Sequence, residues 1–214
     1  MCVPVARGLF ITFEGGEGVG KSTQVARLAE RLAGDGREVI ATREPGGSPG
    51  AEAIRELLVR GEADRWSPAS ETLLIYAARR DHIERVIAPA LARGATVVCD
   101  RFADSTRAYQ GVAGGASAGL IAALEREVLD GARPDLTLIL DLPVAAGLTR
   151  VAGRADGESR FEAKGQSFHE RLRAAFLAIA RAEPDRCVVI DAAPAVERVA
   201  DAVWAAAGPR LEVA

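Results

Sequence analysis

Lysine is scarce in this chain: of 27 basic residues only Lys21 and Lys164 are lysines, so the place of either one is informative. Lys21 stands in Gly15-Gly16-Glu17-Gly18-Val19-Gly20-Lys21-Ser22, followed by Thr23, a complete G-x-x-x-x-G-K-[ST] run. Glycines let the backbone turn tightly and aim consecutive N–H groups at phosphate oxygens. A helix opening at Lys21 would add its positive N-terminal end. Lys21 would bring a mobile charge to β- and γ-phosphates, and the Ser22 hydroxyl could ligate Mg²⁺. A second candidate is Asp100-Arg101, placed at the end of an apolar run. There an Asp can hold Mg²⁺, directly or through water, and an Arg can clamp a phosphate bidentately.

These residues need a scaffold that ends strands beside helix starts. Apolar, β-branched runs at 8–13, 38–42, 95–99, 136–140 and 187–190 read as buried strands. Between them, helical periods cover 21–33, 51–59, 68–92, 118–129, 144–152, 167–182 and 195–206. This alternation predicts an α/β fold with a parallel sheet covered on both faces, and the phosphate loop then joins the first strand to the first helix. Residues 153–165, charged and rich in Gly and Arg, read as an exposed loop.

With 214 residues, one domain is expected over 1–214. A formal charge of −3 argues against general affinity for nucleic acid. Three cysteines, Cys2, Cys99 and Cys187, are too few for a disulfide framework and suggest a reducing compartment. No membrane-length apolar run and no signal-peptide core is present, so a cytoplasmic enzyme is expected. The sequence has no Asn and therefore no Asn-Lys-x-Asp element for reading guanine. A kinase is favoured, with a P-loop nucleotide switch as the rival from another class.

The stretch Asp100-Arg101-Phe102-Ala103-Asp104-Ser105-Thr106-Arg107-Ala108-Tyr109-Gln110-Gly111 resembles the signature of thymidylate kinases. So do Thr42-Arg43-Glu44-Pro45-Gly46-Gly47, Ala51–Arg55, Ala77–His82 and Pro134–Leu138, in the same order along roughly Phe10 to Ile190. The resemblance implies a three-layer nucleoside monophosphate kinase fold, with a five-stranded parallel sheet and a mobile LID at about 150–165. It implies transfer from Mg·ATP to dTMP, giving dTDP, in a homodimer. A kinase for another nucleotide or for a deoxynucleoside is the nearest alternative.

By the same resemblance, Arg43, Arg55 and Arg101 would hold the acceptor phosphate, and Glu17 would face the sugar 3′-hydroxyl. Tyr109 would pack under the sugar, with Arg79, Ser105, Thr106 and Gln110 around the base. Pro45 would follow a cis peptide, although trans is the prior for any X-Pro bond. Family members carry an aromatic four residues before the base-reading Arg; here Ile75 holds that place with Tyr76 beside it, so either could cover the thymine. Catalytic charge from the LID falls to Arg154 or Arg160, while Arg150 belongs to the helix before it.

Overall fold

The computed structural model describes residues 7–62, 65–152 and 164–211. Cys2, Arg154 and Arg160 lie outside them. Five strands form one all-parallel sheet: β1 Phe10–Glu14, β2 Val39–Arg43, β3 Thr96–Asp100, β4 Leu136–Asp141 and β5 Cys187–Asp191, in the order β2-β3-β1-β4-β5. The central strand β1 pairs Phe10 with Val97 on one side and Ile11 with Leu136 on the other. All five of its residues are buried, as expected when helices cover both faces.

Strand alternation sorts those residues between two layers. Ile11 and Phe13 pack with Leu28 and Leu32 of α1 (Lys21–Gly34) and with Val199 and Val203 of the C-terminal helix. Phe10 turns to the other face, where Phe102 meets it edge-on at 4.9 Å, among Val97, Ile87 and Leu91. The sheet therefore sits in the middle of three layers. Cys99 and Cys187 are free and buried, in keeping with a core role.

Strand ends and helix starts meet along one edge. β1 runs into the phosphate loop and α1. β2 leads to α2 (Pro49–Val59), and α3 (Pro68–His82) follows, with the Ser67 hydroxyl accepting from Ser70 N–H at its start. The helical run predicted for 68–92 is continuous but not uniform: a π-helical stretch, Ile83–Ile87, separates α3 from α4 (Ala88–Ala92). Pro89 lies just beyond, and its ring crowds the carbonyl four residues back in an ordinary α-helix.

After β3, periodicity predicted no helix, yet Ala103–Thr106 (α5) and a π-helical turn, Arg107–Ala113, form one. Next come α6 (Ala118–Leu129), α7 (Val144–Val151), α8 (Gln166–Ala182) and α9 (Val196–Leu211). The last of these runs past the predicted end at 206 and through Pro209. Among the described residues no helix is long and apolar enough to cross a membrane.

Candidate active site

The loop between β1 and α1 needs glycine for two different reasons. Gly15 has φ 132°, and a Cβ there would come within 2.4 Å of the Leu140 carbonyl oxygen. Gly18 has φ 70° and lies against the backbone of α7, where a Cβ would stand 2.1 Å from the Gly147 carbonyl oxygen. Val19 is buried beneath the loop in the core shared by α1 and α9, while Gly18, Gly20, Ser22 and Thr23 face a cleft.

The Lys21 ammonium folds back over the loop, donating to the carbonyls of Gly15 (3.2 Å) and Gly16 (2.7 Å). Burial, followed by the nearby Arg101, pushes it down to about 8. An approaching phosphate would reverse that pressure. Ser22 Oγ donates to Asp100 Oδ2 at 2.5 Å. Mg²⁺ is commonly held by one or two protein oxygens completed by substrate phosphates, and this hydroxyl–carboxylate pair fits that donor chemistry.

Beside the loop opens a cleft of about 280 Å³. Strand β3 ends at its floor and delivers Arg101, whose φ of 69° is unusual for a residue with a side chain. The Arg101 guanidinium donates to Gly15 O (3.1 Å) and Glu17 Oε1 (2.9 Å), and its Cζ lies 4.8 Å from the centre of the Tyr109 ring. Tyr109 donates its hydroxyl to the same Glu17 oxygen at 2.6 Å. Burial alone would raise Glu17, but Arg101, Lys21 and the Tyr109 hydroxyl outweigh it and hold the carboxyl down at about 2. A carboxylate, two cations and an aromatic face are thus drawn together at one end.

Arg43 and Arg55 come from β2 and α2. Arg43 pairs with Glu52 at 3.0 Å, and Arg55 donates to the Pro45 carbonyl at 2.7 Å. The Glu44–Pro45 peptide between them is cis. At the far end Arg79 is 2% exposed. It donates to Glu44 Oε2 (2.7 Å), Phe102 O (3.0 Å) and Thr106 Oγ1 (3.0 Å), and its Nη1 has no hydrogen-bond partner among the described residues. Gln110 is held by Glu71 at 2.8 Å.

Glu17, Arg43, Pro45, Arg55, Ile75, Arg79, Arg101, Ser105, Thr106, Tyr109 and Gln110 all line this one cleft. Tyr76 does not, and that expectation is corrected. On a helix, residues four apart share a face, so Ile75 follows Arg79 into the cleft and Tyr76 is rotated away. Its ring packs 4.7 Å from the Arg79 Cζ, and its hydroxyl reaches Glu125 at 3.4 Å. Arg150 ends α7 and donates to the Ala192 carbonyl at 3.2 Å. The candidates Arg154 and Arg160 fall outside the described residues.

Two residues at this site escaped the sequence reading. Glu44 accepts from Arg79 and also contacts His82 Nδ1 at 3.0 Å; the other ring nitrogen of His82 meets Thr42 Oγ1 at 2.8 Å. His82 is a fully buried member of the chain of contacts that fixes Arg79. No local signal announces these pairs, because their members lie about a strand and two helices apart.

A P-loop at the end of a central parallel strand, opening onto an arginine-lined cleft, defines the P-loop phosphotransferase class. The thymidylate kinase family model matches residues 13–203. A thymidylate kinase of Caulobacter vibrioides is 68% identical over 93% of this chain and 95% of its own. One of Bradyrhizobium diazoefficiens is 54% identical over 96% of this chain and 91% of its own. The crystal structure of thymidylate kinase from Ehrlichia chaffeensis superposes with a TM-score of 0.76 at 34% identity, covering 93% of this chain and 98% of that one. The chain belongs to the thymidylate kinase family.

Proposed function

We propose that this enzyme transfers the γ-phosphoryl group of ATP to dTMP, giving ADP and dTDP. The observation that best supports the choice of acceptor is Arg79. Its guanidinium is buried and makes three hydrogen bonds, while Nη1 has no partner among the described residues at the wall of an arginine-lined cleft. A buried donor in that state favours a carbonyl acceptor and disfavours an amino group, because unmet donors are costly. Thymine presents such a carbonyl where cytosine presents an amine.

In this reading the P-loop N–H groups and Lys21 hold the ATP phosphates. Arg43, Arg55 and Arg101 hold the monophosphate of the acceptor, a task suited to planar, bidentate donors. Glu17 and Tyr109 frame the sugar, and Ile75 covers one face of the base. An oxygen of the dTMP phosphate attacks the γ-phosphorus in line, and the bond from that phosphorus to the β,γ-bridging oxygen breaks. The attacking phosphate is already anionic, so positioning and charge neutralisation supply most of the catalysis. Mg²⁺, held by Ser22 and Asp100, would neutralise phosphate charge. Arg154, or failing it Arg160, supplies the further positive charge at the transferring group.

A homodimer in the cytoplasm completes the proposal. Leu57 on α2 and Leu73 on α3 are exposed apolar side chains on two helices that pack together, and they would give a subunit interface apolar contacts. Sedimentation of the wild type tests this directly: a monomer at micromolar concentration removes it. For the acceptor, kcat/KM is compared for dTMP and dCMP. We expect dTMP to be preferred by on the order of 10²-fold or more. Equal use of the two would remove the role given to Arg79.

A further inference from the structure

Glu14 ends β1 and is fully buried, yet nothing in the phosphate chemistry above uses it. Among the described residues, the hydrogen bonds its carboxylate accepts come from one short segment. Its Oε1 accepts from the backbone N–H groups of Phe102 (2.8 Å) and Ser105 (3.1 Å), and its Oε2 accepts from Ser105 Oγ (2.6 Å). That segment follows Arg101, the residue with left-handed backbone. The turn is gripped from both sides of this residue: Arg101 N–H donates to Phe13 O at 2.9 Å, and the next N–H goes to Glu14. Two consecutive residues of β1 therefore hold two consecutive residues of the turn. Ser105 Oγ, fastened by Glu14, also lies 3.4 Å from Arg101 Nη1.

We propose that Glu14 is a positioning residue for the acceptor subsite, whose carboxyl group locks the turn from Arg101 to Ser105 and so aims the Arg101 guanidinium into the cleft. This rests on the reading that Arg101 meets the acceptor phosphate. Lacking the carboxyl, the buried Phe102 N–H would lose its acceptor, the Ser105 N–H would keep only its 3.2 Å bond to Phe102 O, and the left-handed residue would be free to relax toward a commoner conformation. Burial, and then the neighbouring Asp104 carboxylate, push the Glu14 acid up to about 8. A proton on Oε2 reverses the bond to Ser105 Oγ and leaves both backbone bonds intact. Glutamine reproduces that arrangement, with its amide oxygen accepting from the backbone and its amide nitrogen donating to Ser105.

The test is a comparison of kcat and of KM for each substrate in Glu14→Gln, Glu14→Ala, Glu14→Asp and Arg101→Ala. Glu14→Gln should stay within about 3-fold of wild type in both KM values, because the backbone acceptor is preserved. Glu14→Ala should raise KM for dTMP by about 10-fold or more and KM for ATP by less than about 3-fold. Loss of general stability would lower the active fraction without separating the two KM values. Where Glu14→Ala does not fold, Glu14→Asp decides, since it keeps the acid but shortens its reach. A raised KM for dTMP in Glu14→Asp beside a near-normal Glu14→Gln supports the proposal. Wild-type KM for dTMP in folded Glu14→Ala or Glu14→Asp overturns it, as does Glu14→Gln impaired equally with Glu14→Asp. If Arg101→Ala leaves KM for dTMP unchanged, the reading of the acceptor subsite fails instead, whatever Glu14 does.

Discussion

Replacing Glu17 by glutamine removes one negative charge from between Arg101 and Lys21 and leaves the shape of the side chain almost unchanged. Glu17 Oε1 accepts from Arg101 and from Tyr109, at 2.9 and 2.6 Å, and its side chain is 18% exposed. With its carboxyl held at about 2 against an ordinary value of 4.5, ionised Glu17 contributes about 3 kcal/mol to folding, at about 1.4 kcal/mol per pH unit. The sign follows from the depressed value. The contribution is complete above pH 4.5 and is lost as pH falls through the folded value near 2. By pH 3 roughly 2 kcal/mol of it should already be gone. Urea denaturation of wild type and Glu17→Gln at intervals between pH 7 and pH 3 measures the gap in stability. It should be widest near neutrality and narrow by about 2 kcal/mol at the acid end. A gap constant across that range, or a variant more stable than wild type at pH 7, would refute the reasoning.

Lys21→Ala should lower kcat by on the order of 10²-fold or more while the midpoint of thermal unfolding moves little, because among the described residues the ammonium donates to loop carbonyls; near-normal turnover in the folded variant would remove the case for the P-loop. Arg154→Ala should depress kcat by on the order of 10²-fold with a smaller rise in KM, as expected for a contact made in the transition state. The same pattern in Arg160→Ala, with Arg154→Ala nearly unaffected, would assign the role to the other arginine. Tyr109 is packed against Phe168 and Phe176 with ring centres 6.3 and 6.2 Å away, so it has little room to yield to a ribose 2′-hydroxyl. Wild type should therefore use dTMP better than dUMP and dUMP better than UMP, and Tyr109→Ala should gain UMP activity while losing dTMP affinity. Steady-state kcat/KM for the three nucleotides checks the order, and equal use of UMP and dTMP by wild type contradicts it.

Strands buried on both faces, here the inner strands β1, β3 and β4, announce themselves as continuous apolar runs, and the half-exposed edge strands β2 and β5 carry enough β-branched residues that all five were legible to within two residues at each end. The phosphate loop was legible because its chemistry is written in consecutive residues. What hid was non-local. The helical turn 103–113 shows no apolar period because its polar side chains are claimed from afar. Asp104 pairs with Arg186, and Arg107 pairs with Glu125 and Glu183. Partly buried ion pairs therefore occupy positions where periodicity expects apolar residues. The choice between Ile75 and Tyr76 depended on the rotation of α3 against the cleft, which sequence spacing leaves open until Arg79 is seen to enter it. Glu44 and His82 stood within the quoted motifs, but their purpose shows only when β2 and α3 lie side by side.

The central claim is phosphoryl transfer to a monophosphate acceptor, and the fate of the γ-phosphate of ATP tests it most directly. Purified enzyme is incubated with ATP labelled at the γ-phosphorus, with and without dTMP, and the labelled products are separated. Label is expected in the β-position of dTDP, formed only when dTMP is present, with little release as inorganic phosphate. Label recovered as inorganic phosphate alone, at a rate indifferent to dTMP, would contradict the claim.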